Sequence, residues 1–156
     1  MSGFPSPHTF FLQDEGEIAS SLSFIQSIAA GFAMLRSNNG AWSPLISGGT
    51  NGNILTIVPG NDGYIYYGGT FTSAGNPALT VNKIARYKVD GTTTTAWERM
   101  GSIIGAVGGD VRKIAIGFDG RVYATGSFTS MDGIANTNGT AVWSPATNAW
   151  SALGTG

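Results

Sequence analysis

The amino-acid sequence predicts an all-β fold made of repeated four-stranded antiparallel units, and three observations carry that prediction. Glycine accounts for 24 of 156 residues, about twice its usual share of roughly 7%. A stretch of twenty residues recurs at an offset of 57 positions. Apolar residues alternate within short segments that Asp-Gly and Asn-Gly pairs separate, the pattern of half-buried strands joined by tight hairpins.

In chain order, residues 1–13 come first. With Phe4, Pro5, Pro7, Phe10 and Phe11 they read as an extended arm, suited to docking on a neighbour or to remaining a tail. Ile18, Leu22, Ile25, Ala29, Phe32 and Leu35 then recur at helical spacing. Asp14 and Glu17 stand as a capping box before them. Ser20, Ser21, Ser23 and Ser27 weaken that helix, since serine is a poor helix former. The end of the stretch also reads as strands: Ala33-Met34-Leu35, a Ser37-Asn38-Asn39-Gly40 turn and Trp42. The two readings combine as a short helix to about Ala30 followed by a strand. Residues 1–41 are thus expected to form an N-terminal arm with helix and strand, serving anchoring or oligomerisation. Residues 42–156 are expected to form two blade-like units.

The repeat itself begins at Ile54. Ile57 falls on Ile114, Asp62-Gly63 on Asp119-Gly120, Tyr66 on Tyr123, Gly69 on Gly126, and Phe71-Thr72-Ser73 on Phe128-Thr129-Ser130. A second block follows in each copy: Ala85-Arg86-Tyr87 leads to Trp97, and Ala141-Val142-Trp143 leads to Trp150. The tryptophans at 42, 97 and 150 are spaced by 55 and 53 positions. Strands are expected at 54–58, 64–70, 83–88 and 96–100 in the upstream copy, and at 111–116, 121–127, 140–143 and 149–153 in the downstream copy. Four short strands per repeat is the pattern of a β-propeller blade.

The string Tyr66-Tyr67-Gly68-Gly69-Thr70-Phe71-Thr72-Ser73-Ala74-Gly75, then Lys83-Ile84-Ala85-Arg86-Tyr87 and a closing Trp97, carries a family resemblance. It resembles the kelch-like propeller repeats of phage structural proteins, bacterial surface proteins and fungal cortical polarity markers. The resemblance covers about residues 42–156 and implies four-stranded antiparallel blades. The downstream copy departs from it: Ala124-Thr125 takes the first positions of the Gly-Gly step, and Met131-Asp132-Gly133 replaces Ala74-Gly75-Asn76.

Propellers close with about four to eight blades. Two complete units, with half a blade at most before them, leave edges and faces uncovered. The missing blades come from identical chains, another protein, or a longer parent chain. Self-assembly is the expected solution, and a trimer the favoured one.

Composition narrows the function. Formal net charge is −1, charged residues make up 11%, and the eight basic residues are scattered. Nucleic acid is therefore not an expected partner. Hydrophobic content of 42% supports a packed core. No cysteine is present, so disulfides and thiol nucleophiles are excluded. The N-terminus lacks the pattern of a signal peptide, and no apolar run reaches the roughly 18 residues of a membrane span.

A search for catalytic groups ends with none assigned. Asp62, Asp90, Asp119 and Asp132 each precede glycine, where turn formation explains them. Asp14, Glu15 and Glu17 suit the positive end of a helix. Glu98 and Asp110 remain, in different repeats, and do not make a glycosidase pair. The single histidine, His8, sits in the arm. It supplies neither a serine triad nor a copper centre. Calcium held by turn aspartates and carbonyls is the one metal chemistry left open, and no metal site or cofactor is assigned. Asn138-Gly139-Thr140 matches a glycosylation sequon. Tyr66, Tyr87, Tyr123, Trp42, Trp97, Trp143 and Trp150 repeat with the blade and read as packing. Tyr64 has Arg121 as its counterpart and is the aromatic expected to be most exposed.

The resulting expectation is a non-enzymatic structural component of a phage particle or surface appendage, placed in a virion or on an extracellular surface. It would assemble through its blades with copies of itself or with other subunits. The alternative is a surface adhesin or lectin-like module that binds host-surface glycans through the loops at 73–81 and 130–138.

Overall fold

A computed structural model describes residues 48–88 and 97–154 in full, with backbone strands also at 10–12, 22–27, 31–35 and 42–44. The described residues are all-β and form three four-stranded antiparallel sheets. They do not form a closed ring.

The N-terminal sheet holds β1 (Phe10–Leu12), β2 (Leu22–Ser27), β3 (Gly31–Leu35) and β4 (Trp42–Pro44), paired in that order. This corrects two expectations. The backbone at Leu22–Ser27 is a strand where a helix was expected, pairing with β1 on one side and β3 on the other. Low serine propensity, together with pairing partners on both edges, outweighs the helical spacing of the apolar residues. The segment is also a four-stranded sheet where half a blade at most was expected. Residues 1–9 and 13–21, which hold His8, most of the arm and the capping box, lie outside the described residues, as does Asp90.

The middle sheet comprises β5 (Ile54–Pro59), β6 (Tyr64–Gly69), β9 (Ile84–Lys88) and β10 (Trp97–Glu98), in the order β10-β9-β6-β5. Between β6 and β9 lies a small hairpin of β7 (Ser73–Ala74) and β8 (Leu79–Thr80). The C-terminal sheet comprises β12 (Val111–Ile116), β13 (Val122–Gly126), β15 (Thr140–Ser144) and β16 (Ala149–Ser151). Beside it, β11 (Ala106–Val107) pairs with β14 (Ser130–Met131). All eight strands expected from the repeat are present, to within two residues at either end. The short pairs β7–β8 and β11–β14 have too few residues to show a period and were not expected.

Register repeats along with sequence. The closing tryptophan of each sheet lies opposite the same position of the preceding strand: Trp42 faces Leu35, Trp97 faces Tyr87 and Trp150 faces Trp143. The pairings β5–β6 and β12–β13 each shift by one residue, at Leu55 and at Arg112, the signature of a β-bulge. The repeated glycine opposite each bulge has a steric cause. A Cβ at Gly69 would lie 2.1 Å from the Asn53 carbonyl oxygen, and one at Gly126 would lie 1.9 Å from that of Asp110.

The middle sheet is buried on both faces. Alternation sends Ile65 and Tyr67 to one side, where they join Ile54, Ala85, Tyr87 and Trp97. It sends Tyr66 to the other, where it packs with Val111, Ile114, Val122, Phe128 and Trp143 of the C-terminal segment. Gly68 sets the approach of the two sheets, since a Cβ there would stand 2.6 Å from Val111 Cγ1. Trp150 Nε1 donates to the Met100 carbonyl at 2.6 Å, and Trp97 Nε1 donates to the Gly48 carbonyl at 2.9 Å. Each closing strand is thereby fastened to the segment that enters its own sheet.

Candidate functional site

Two features of the described residues bring chemically active groups together: a charged and aromatic cluster between the middle and C-terminal sheets, and a cleft between their first hairpin turns.

The cluster centres on Arg86. Its position opposite Glu98 across the β9–β10 pair lets Nε and Nη2 both donate to Glu98 Oε2, at 2.9 and 2.6 Å. The guanidinium also lies 4.1 Å from the Tyr64 ring centroid and 5.1 Å from that of Trp143. Tyr64 closes the arrangement by donating its hydroxyl to Glu98 Oε1 at 3.1 Å. Such stacking adds cation–π attraction to an ion pair that is partly shielded from water. Burial, followed by the Glu98 contact, raises the Tyr64 phenol above its usual value. Tyr64 is therefore half-buried and fully engaged, not the free aromatic expected from the sequence. The other unassigned acid, Asp110, accepts from Lys83 Nζ at 3.1 Å. Glu98 and Asp110 both serve ion pairs that hold sheets in place.

The cleft has a volume of about 620 Å³ and opens between the β5–β6 turn and the β12–β13 turn, with Pro145 from the β15–β16 turn at its edge. Asp62 is ordered within the first turn. One carboxylate oxygen accepts from the Tyr64 amide at 3.2 Å and the other from the Tyr66 hydroxyl at 2.6 Å. Tyr66 is buried, and that burial and the Asp62 contact raise its phenol above the usual value. Asp119 holds the second turn in the same way, accepting from the Arg121 amide at 3.1 Å and pairing with the Arg121 side chain at 3.4 Å. The two turns differ at their tips. Asn61 stands on one, and Phe118, at 116% relative exposure, stands on the other.

Among the described residues Phe118 is thus the most exposed aromatic, the place expected for Tyr64. A signal for it was present. An apolar residue directly before an Asp-Gly turn, with a polar counterpart in the repeat, has no packing role to explain it.

The loops proposed for glycan contact lie elsewhere and are partly committed to packing. In 73–81, Ala74 and Val81 are buried while 76–78 are exposed. In 130–138, Met131 and Thr137 are fully buried, and the Thr137 hydroxyl accepts from the Met131 amide and donates to the Ile134 carbonyl, both at 2.7 Å. Asn138 of the sequon is exposed. Asp132 accepts from Ser102 and from the Gly105 amide, which ties the loop entering the C-terminal sheet. Among the described residues, no three His, Asp or Glu side chains gather as a metal site would require. No helix among them is long and apolar enough to cross a membrane.

Comparison with known proteins returns no matching family model, no matching characterised protein and no matching solved structure.

Proposed function

We propose that this chain is a non-enzymatic structural module whose two repeat units act as propeller-type blades, and that copies of it associate to complete the assembly, with a trimer, which brings six such blades together, as the favoured state. One observation carries the reading. The middle sheet packs Thr56, Val58, Tyr66 and Gly68 towards the C-terminal sheet. The equivalent positions of the C-terminal sheet are Lys113, Ala115, Tyr123 and Thr125, of which Lys113, Ala115 and Thr125 are exposed and Tyr123 is half-buried. The same face is covered in one unit and open in the next, and a terminal open face is where repeat architectures add a neighbour or a polar cap. Thr125 in place of Gly68 changes the fit, because it blocks an approach as close as that of Val111 to Gly68. A partner must therefore present a surface different from the C-terminal sheet's own inner face. Low charge, high glycine content and the kelch-like resemblance favour a phage particle or surface appendage as the setting.

Native mass spectrometry tests this reading. A discrete trimer is expected, and Ala115→Arg should dissociate it without altering the far-UV spectrum. A monomer at micromolar concentration would overturn it.

A second reading, recognition of surface glycans, is favoured by the placement of Phe118 at the mouth of the turn cleft.

A further inference from the structure

Building on that second reading, we infer that the cleft between the β5–β6 and β12–β13 turns is a binding site for a neutral pyranose, with Phe118 as its stacking platform and Asp62 as its hydroxyl acceptor. Four features support this assignment.

Phe118 protrudes from a turn that needs no apolar side chain. The turn is already closed by backbone bonds from Gly117 to Arg121 and from Gly120 to Gly117, and by the Asp119 contacts. A fully exposed phenyl ring gains nothing from folding. It does offer a flat apolar face to the C–H side of a sugar ring.

Asp62 is held from behind by the Tyr64 amide and the Tyr66 hydroxyl. An ionised carboxylate has about four acceptor sites, so two remain for ligand hydroxyls. Vicinal hydroxyls match a carboxylate in the same forked manner as a guanidinium does.

Volume and charge narrow the class. About 620 Å³ falls within the range of small-molecule pockets and accommodates one or two sugar rings. Among the described residues Asp62 is the one charged residue lining it, and no Lys, Arg or His does so. An anionic sugar or a phosphate would meet repulsion from the Asp62 carboxylate. A neutral, hydroxyl-rich ring meets none.

The two turns bring different tips to the cleft. Asn61 occupies the place equivalent to Phe118, so the polar and the aromatic tips face a shared cleft. Pro59 and Pro145 supply further rigid apolar walls.

The experiment is saturation-transfer NMR on the intact chain with methyl glycosides of glucose, galactose and mannose, alongside N-acetylneuraminic acid as an anionic control. Transfer to ring protons of at least one neutral glycoside is expected, with little to the anionic sugar. Phe118→Ala and Asp62→Asn should each weaken binding about tenfold or more, without changing the native mass or the far-UV spectrum. No transfer to any neutral sugar at millimolar concentration would overturn both the inference and the glycan reading. Binding that survives both substitutions but is lost on altering residues 76–78 would overturn the inference and leave the glycan reading standing. A change in native mass in Phe118→Ala would overturn the inference by making Phe118 an interface residue.

Discussion

Lys83 Nζ lies 3.1 Å from a carboxylate oxygen of Asp110, so an ion pair spans the middle sheet and the segment that enters the C-terminal sheet. The same ammonium donates to the Thr70 carbonyl at 3.1 Å. Lys83 makes these contacts from a left-handed backbone, with φ of 75°, and the equivalent residue of the downstream copy is Gly139, with φ of 72°. Left-handed geometry costs a side-chain-bearing residue about 1–2 kcal/mol. The chain retains lysine at a position that suits glycine, and the ion pair offsets part of that cost.

Two substitutions separate these effects. Lys83→Ala loses the ion pair and keeps the strain, so it should destabilise the chain by about 1–2 kcal/mol in urea unfolding. Lys83→Gly loses the pair but releases the strain, and should stand within roughly 0.5 kcal/mol of the parent chain. Equal losses in the two variants would refute the strain argument.

The glycines of the repeat should differ sharply in tolerance. At Gly69 an added Cβ meets a backbone oxygen at 2.1 Å, which cannot move without breaking the bulge. At Gly68 it meets side-chain methyl groups of Val111 and Thr56, at 2.6 and 2.8 Å. Gly68→Ala should cost about 1–3 kcal/mol through overpacking between sheets. Gly69→Ala should cost more, above roughly 3 kcal/mol, as measured by urea midpoints. Gly69→Ala proving the milder change would show that the sheets, not the bulge, limit stability.

Alkaline pH should weaken the fold. Burial is the main cause that raises the phenols of both Tyr66 and Tyr67, with the Asp62 contact adding to the effect on Tyr66. The folded chain then keeps protons that the unfolded chain releases above the ordinary tyrosine value of 10.0. Stability from this source is full below pH 10 and falls as pH rises beyond it, by up to about 1.4 kcal/mol per pH unit for each phenol. Urea unfolding from pH 8 to 11 should show a plateau and then a decline, and Tyr66→Phe should flatten the decline. A plateau extending to pH 11 in the parent chain would contradict the burial of these hydroxyls.

Thr137 should act as a core residue despite its hydroxyl. It is fully buried and links the Met131 amide to the Ile134 carbonyl. Thr137→Val preserves shape but leaves both backbone groups without that partner, at an expected cost of about 2–3 kcal/mol. Thr137→Ser keeps the hydroxyl and should lose less than half as much. Thermal unfolding of the two variants provides the comparison.

Much of the fold was legible because repetition multiplies weak local signals. Ile57 with Ile114 and Tyr66 with Tyr123 specify the same strand twice, so the second copy confirms the first. The N-terminal stretch lacked that support. Its apolar spacing agreed with a helix at Leu22, Ile25 and Ala29, yet Leu22–Ser27 pairs as a strand on both edges. Pairing depends on partners distant in sequence, which local periodicity does not register.

The sites divide in the same way. That Asp62 and Asp119 form turns follows from the glycine after each, and that Trp97 and Trp150 pack follows from their repetition. That Asp62 also receives the Tyr66 hydroxyl, that Arg86 lies between Tyr64 and Trp143, and that Phe118 shares a cleft with Asn61 required the packing of one sheet on another. By itself, the sequence determined strand positions, turn chemistry and the all-β class, because these depend on neighbours a few residues away. Only the tertiary structure decided which faces are covered, which acids are paired and which aromatic meets solvent. Those outcomes depend on contacts between segments distant in sequence, such as Trp150 with Met100 and Gly68 with Val111.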